Sequence, residues 1–124
     1  MTIVKHLPES EYKVMEAIWK CDPPVTVNDV LKLLNDRNWK AQTCFTLMHR
    51  LVSRNFLCKE KKGRDVVFYP IVNREEYLKF EATKFLDLYH GNSLTSFVVS
   101  FCDNQNISEN QMKKIIKIIE GREE

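Results

Sequence analysis

Glycine is nearly absent, with three in 124 residues. No glycine-rich loop can cradle a nucleotide phosphate and no nucleophile–base pair stands out, so an enzyme is the least supported reading. The four cysteines, Cys21, Cys44, Cys58 and Cys102, form no C-x-x-C or C-x-C pair. A disulfide framework or zinc site is therefore the minority reading, and reduced thiols in the cytoplasm are the expectation. His6, His49 and His90 are scattered. They read as surface side chains rather than metal ligands, and no cofactor is expected. No run reaches the roughly 18 apolar residues of a membrane span. The opening MTIVKHLPESEYK has no apolar signal core, so neither membrane insertion nor secretion is expected. Internal repeats, low-complexity tracts and flexible linkers are missing too.

Acid is also missing from one place. Between residues 37 and 64 stand eight basic residues (Arg37, Lys40, Arg50, Arg54, Lys59, Lys61, Lys62, Arg64) against Glu60 alone. The whole chain carries only +2. A local basic block beside a near-neutral remainder suits a polyanion partner at one end of the molecule. A solvated charged face would mix the signs.

Inside that block lies WKAQTCFTLMHRLV, Trp39 to Val52. Cys44, Leu47, Met48 and Leu51 recur at i, i+3, i+4 and i+7, one apolar stripe of a helix. Gln42, Thr43, Thr46, His49, Arg50 and Ser53 occupy the other side, with no Asp or Glu. Gln and Thr bond base edges or phosphates, and Arg does either. The helix thus offers one face to a core and the other to the major groove of DNA. The alternative is an amphipathic helix whose polar face meets only water.

The neighbouring segments favour the first reading. Leu7-Pro8 opens a helix striped by Val14, Met15, Ile18 and Trp19, and Cys21-Asp22-Pro23-Pro24 stops it. Thr26 with Asp29 makes a capping-box start for a second helix carrying Val27, Val30, Leu31 and Leu34, which Asn35-Asp36-Arg37-Asn38 breaks. Two helices across a short polar turn give the helix-turn-helix pattern. After Arg54-Asn55, Leu57–Glu60 and Asp65–Tyr69 read as a β-hairpin around the turn Lys61-Lys62-Gly63-Arg64. Its basic tip suits phosphate contact or the probing of a minor groove, whereas a plain surface hairpin would need no such charge.

Beyond Pro70 the chain reads as three amphipathic helices. Asn73 with Glu76 starts the first, carrying Leu78, Ala82, Phe85, Leu86 and Tyr89 as far as Gly91. The second carries Leu94, Phe97, Val98 and Phe101. Ser108 with Gln111 starts the third, carrying Met112, Ile115, Ile116 and Ile119 and ending at Gly121 before the tail Arg122-Glu123-Glu124. Three helices in about 50 residues are too few to bury these side chains alone. The expectation is a homodimer whose helices complete each other's core, through Leu86, Tyr89, Phe97, Val98, Phe101, Ile115, Ile116 and Ile119. The alternative has them fold back on their own chain. The expected fold class is mostly α: a winged helix-turn-helix over residues 1–72, three helices plus a β-hairpin wing, then a three-helix dimerisation region over 73–124.

The segments LPESEYKVMEAIWK, NWKAQTCFTLMHRLVSRNFL, GRDVVFYP and SLTSFVVSF, in this order and spacing, resemble the penicillinase repressor family, which includes methicillin-resistance and copper-responsive repressors. The likeness runs in register over nearly the whole chain. It implies a homodimeric winged-helix repressor on a palindromic operator of double-stranded DNA upstream of resistance genes. By position, the recognition contacts fall on Gln42, Thr43, Thr46 and Arg50 and the wing contacts on Lys62 and Arg64; Lys40 and Lys61, from the basic block itself, complete the expected DNA-binding set. Where the family often has Ser-Pro-Lys, this chain has Lys40-Ala41-Gln42. In antibiotic-responsive members a membrane sensor-protease signals cleavage at an Asn-Phe bond, and the matching pair here is Ser100-Phe101. Copper-responsive members carry paired Cys-x-Cys motifs near the C-terminus, and IIEGREE has none. Two alternatives remain open: a winged helix that docks another protein, and a family repressor answering another signal such as metal.

Overall fold

The computed structural model describes residues 4–35, 38–103 and 107–122. Along them run α1 (Glu9–Trp19), α2 (Val27–Leu33), α3 (Ala41–Ser53), β1 (Leu57–Lys62), β2 (Asp65–Pro70), α4 (Arg74–His90), α5 (Leu94–Asp103) and α6 (Glu109–Arg122). The chain divides into two compact units, Met1–Glu81 and Ala82–Glu124.

The first unit is a winged helix built on the stripes the sequence carries. Val14, Met15 and Ile18 of α1 are fully buried against Cys44, Leu47, Met48 and Leu51 of α3, with Phe56, Leu57, Phe68 and Val72 beneath. Asn55, at φ 64, turns the chain out of α3 into β1, a left-handed position that Asn tolerates. The capping box of α2 is present. Thr26 Oγ1 accepts from the Asp29 N–H at 3.2 Å, and Asp29 Oδ2 accepts from the Thr26 N–H at 3.0 Å. Residues 36 and 37, part of the expected break after α2 and of the basic block, lie outside the described residues.

The hairpin is tighter than expected. β1 and β2 pair antiparallel from Leu57↔Pro70 to Lys62↔Asp65. Lys61 and Lys62 therefore belong to β1, not to the turn, which is Gly63-Arg64. Gly63 stands at φ +63, the left-handed geometry that a two-residue hairpin asks of its first central residue. A third strand reduces to one residue: Val25 exchanges both backbone bonds with Phe68, at 2.9 and 2.8 Å. A single bridge has no periodicity, so the sequence does not announce it.

α4 begins as expected, with Asn73 Oδ1 accepting from the Glu76 N–H at 2.7 Å. Its first two turns depart from the expected stripe. Leu78 is exposed, and Tyr77 is buried instead. The Tyr77 ring packs near Tyr12, Trp19 and Phe56, with centroids 5.8, 6.0 and 5.6 Å away. Its hydroxyl accepts from the Leu7 N–H at 2.9 Å and donates to Glu81 at 2.7 Å. This anchoring carries the unit to Glu81, beyond the boundary expected at residue 72.

In the second unit Gly91 (φ +54) and Asn92 (φ 64) end α4. Ser108 and Gln111 cap α6 reciprocally, at 3.2 and 3.0 Å. Gly121, expected to stop α6, lies inside its last turn, and residues 123 and 124 of the expected tail lie outside the described residues. Phe85, Phe97 and Phe101 form an aromatic line with centroid separations of 5.9 and 4.9 Å. No described residue of this unit is buried. No described helix is long and apolar enough to cross a membrane.

Candidate nucleic-acid interface

Successive residues of a helix are rotated by about 100°. Opposite the buried stripe of α3 this places Gln42, Thr46 and Ser53 at the centre of the outer face. Thr43 and Arg50 form one flank, and Phe45 and His49 the other. Gln42, Thr43, Thr46 and Arg50 are all exposed, as the sequence predicts, and so is Lys40 just before the helix. The Thr46 hydroxyl donates to the Gln42 carbonyl at 2.9 Å. Its proton is thereby committed to the helix, and what it offers outward is a methyl group and oxygen lone pairs.

The start of α3 differs from those of its neighbours. α2 is closed by its capping box, and α1 carries Glu9 and Glu11 in its first turn. α3 follows Lys40 with no side-chain cap and no acid in its first turn. Its leading N–H groups and the positive end of its dipole are left for an anion.

The expected basic tip resolves into two faces. Residues opposite one another on paired strands point the same way, so Lys59 and Lys61, across from Phe68 and Val66, share the side of the buried Leu57. Lys62 lies on the other side, its amine 5.9 Å from the Tyr69 ring centre. Its hydrogen bond to Tyr69 raises its pKa. Arg64 is exposed in the turn. Lys59 was missed as a candidate, although strand alternation alone would have placed it. Arg54, also in the basic block, serves the fold instead. Its Nε donates to Glu11 at 2.6 Å, and Glu11 is only 2% exposed.

Two residues on the wing-side flank of α3 correct the expectation. His49 is not a surface histidine. It is half-buried, and its Nε2 is buried without a hydrogen-bond partner. The ring sits edge-on to Phe68 at 5.9 Å and 4.2 Å from Phe45. Desolvation, helped by the charge of Lys59, pushes its pKa below 6.5 and keeps it neutral at pH 7. Phe45 was not singled out, yet it is 40% exposed on this outer face. An aromatic residue outside the apolar stripe was the available signal.

A helix-turn-helix whose second helix turns a polar, acid-free face outward beside a basic antiparallel hairpin defines a winged-helix DNA-binding domain. The chain belongs to the penicillinase repressor family, whose profile matches residues 7–121. It is 27% identical to the penicillinase repressor of Bacillus licheniformis over 121 residues, 97% of this chain and 94% of that protein. It is 22% identical to the methicillin resistance regulatory protein MecI of Mammaliicoccus sciuri over 114 residues, 91% and 92% of the two chains. Among solved structures it resembles the DNA-binding domain of the repressor BlaI, with a TM-score of 0.51 and 29% identity over 62% of this chain and 94% of that one. It also resembles the Bacillus licheniformis BlaI monomeric form in complex with the blaP half-operator, with a TM-score of 0.50, 29% identity and the same coverage. The family is one of DNA-binding transcriptional repressors, not enzymes.

Proposed function

We propose that this chain is a cytoplasmic transcriptional repressor that binds a palindromic operator as a homodimer and controls β-lactam resistance genes. The outer face of α3 carries the reading: Gln42, Thr43, Thr46 and Arg50 exposed together, without an acid, behind an uncapped helix start. In this reading α3 enters the major groove. Gln42 bonds an adenine edge, Thr43 and Thr46 meet bases or thymine methyls, and Lys40 and Arg50 hold phosphates. Lys61, Lys62 and Arg64 bind the flanking backbone. The relative bound to a half-operator as a monomer supports one winged helix per half-site. A palindrome then takes two, with recognition helices about one DNA turn apart or a multiple of it.

The second unit supports the dimer. Tyr89, Phe101, Ile115, Ile116 and Ile119 are exposed by 67, 37, 37, 47 and 45%, and Leu86, Phe97 and Val98 are half-buried. A groove of about 530 Å³, lined by Leu94, Phe97, Val98, Phe101, Ile107 and Ile115, has the apolar walls to take a partner helix. Ser100 and Phe101, the cleavage pair, are both exposed within α5. A sensor-linked protease would have to unwind α5 locally to cut there, and the cut would divide the dimerising helices.

The test is a gel-shift titration over a salt series, on duplexes selected by the protein from genomic DNA. Arg64→Ala is expected to weaken binding to all duplexes alike and to lower the salt slope by about 1. Thr43→Ala is expected to change preference at particular base pairs. No change in either variant would refute the contact assignment.

A further inference from the structure

We propose that Phe45 is a specificity-determining residue that reads the 5-methyl groups of thymine, with the exposed Ala41 beside it one turn earlier. The inference rests on α3 entering the major groove. Ala41, Phe45 and Thr46 are all exposed, and Ala41 and Phe45 stand one turn apart at i, i+4. The Thr46 hydroxyl donates to the Gln42 carbonyl at 2.9 Å, so that position offers outward a methyl and oxygen lone pairs but no free donor.

Phe45 cannot withdraw into the core. On its inner side lies His49, with ring centres 4.2 Å apart and planes at 49°. His49 in turn stands edge-on to the buried Phe68 at 5.9 Å and 87°. The Nε2 of His49 is itself buried, so the ring that Phe45 rests on belongs to the packed interior rather than to the open surface. A braced ring, 40% exposed on a face that apart from Ala41 exposes only Gln, Thr, Ser and Arg, is apolar surface held out toward solvent. In the major groove the one apolar group that marks a base is the thymine methyl, and Ala, Thr methyl and Phe are the side chains that meet it.

The experiment uses the full chain and duplexes it enriches from a random-sequence library, with single thymines replaced by uracil. That exchange keeps base pairing and removes only the methyl. Wild type is expected to bind about fourfold more weakly at the positions read, the effect of one buried methyl-sized group. Phe45→Ala and Phe45→Gln are expected to bind the thymine and uracil duplexes alike there while keeping the wild-type salt slope. Circular dichroism establishes that each variant is folded, and the side chain of Gln fills the site should Ala disturb it. Equal wild-type binding to thymine and uracil at every position overturns the proposal, as does an undiminished thymine preference in a folded variant. If wild type enriches no duplex at all, the DNA-binding reading fails and takes this proposal with it.

Discussion

Residues up to Glu81 and residues from Ala82 onward use apolar side chains in opposite ways. Among the described residues, the first unit buries eighteen hydrophobic ones, from Leu7 to Tyr77. The second has helices with clear apolar stripes and no described residue buried, while Leu88 and Ile118 stand 73% and 60% exposed. Burial is the main favourable term in folding, at about 25 cal/mol per Å² of apolar surface. The first unit therefore holds that term within one chain. The second leaves it unused until another surface arrives, and in the proposed dimer that surface is a second copy. The proposed function divides the labour along the same line: the unit that is complete alone would carry the base-reading face, and the incomplete one would join two such faces.

Breaking the second unit should produce the largest effect. Phe101→Asp is expected to give a monomer by sedimentation and to weaken binding to a full palindrome by roughly 10² to 10⁴, the avidity gained by linking two readers. Binding to a half-site duplex should stay near wild type. A variant that remains a dimer of unchanged strength would contradict this division between the units.

Breaking the first unit should act through stability instead. Tyr77→Ala removes the ring at the centre of the aromatic group around Tyr12, Trp19 and Phe56 and is expected to cost about 3–5 kcal/mol in urea denaturation. A cost below about 1 kcal/mol would show that α4 does not anchor this unit. Thr26→Ala loses the side-chain half of the α2 capping box and should cost about 1 kcal/mol by the same measurement. Neither loss should depend on protein concentration, whereas unfolding of a dimer-stabilised second unit should shift upward as concentration rises.

The finest probe is pH. The folded-state pKa of His49 lies below 6.5, so the unfolded chain binds the proton more readily. Its contribution is thus fully present above 6.5 and is lost as pH falls from there through the lower folded value. His49→Leu should flatten the acid limb of the stability curve. An unchanged limb would mean that this ring is not desolvated as described.

Much of this was legible because it repeats along the chain. The stripe Cys44-Leu47-Met48-Leu51 repeats at helical spacing, and all four residues are buried. Thr26-x-x-Asp29, Asn73-x-x-Glu76 and Ser108-x-x-Gln111 are local signals, and all three caps form. What was not legible depends on partners far away in sequence. Tyr77 lies off the α4 stripe and is buried because Leu7, Tyr12, Trp19 and Phe56 surround it. Glu11 and Arg54 look like two surface charges until α1 and α3 bring them to 2.6 Å. Val25 joins the sheet through one bridge to Phe68.

By itself, the sequence determined the order and kind of the elements, the inner face of α3 and the acid-poor basic block around it, because periodicity, caps and net charge are properties of neighbouring residues. Only the tertiary structure decided that Phe45 is held outward on a half-buried His49, that Lys59 shares the side of Leu57 while Lys62 turns away, and that the first unit ends at Glu81. Burial and orientation depend on what packs alongside, and that is fixed only when segments distant in the chain come together.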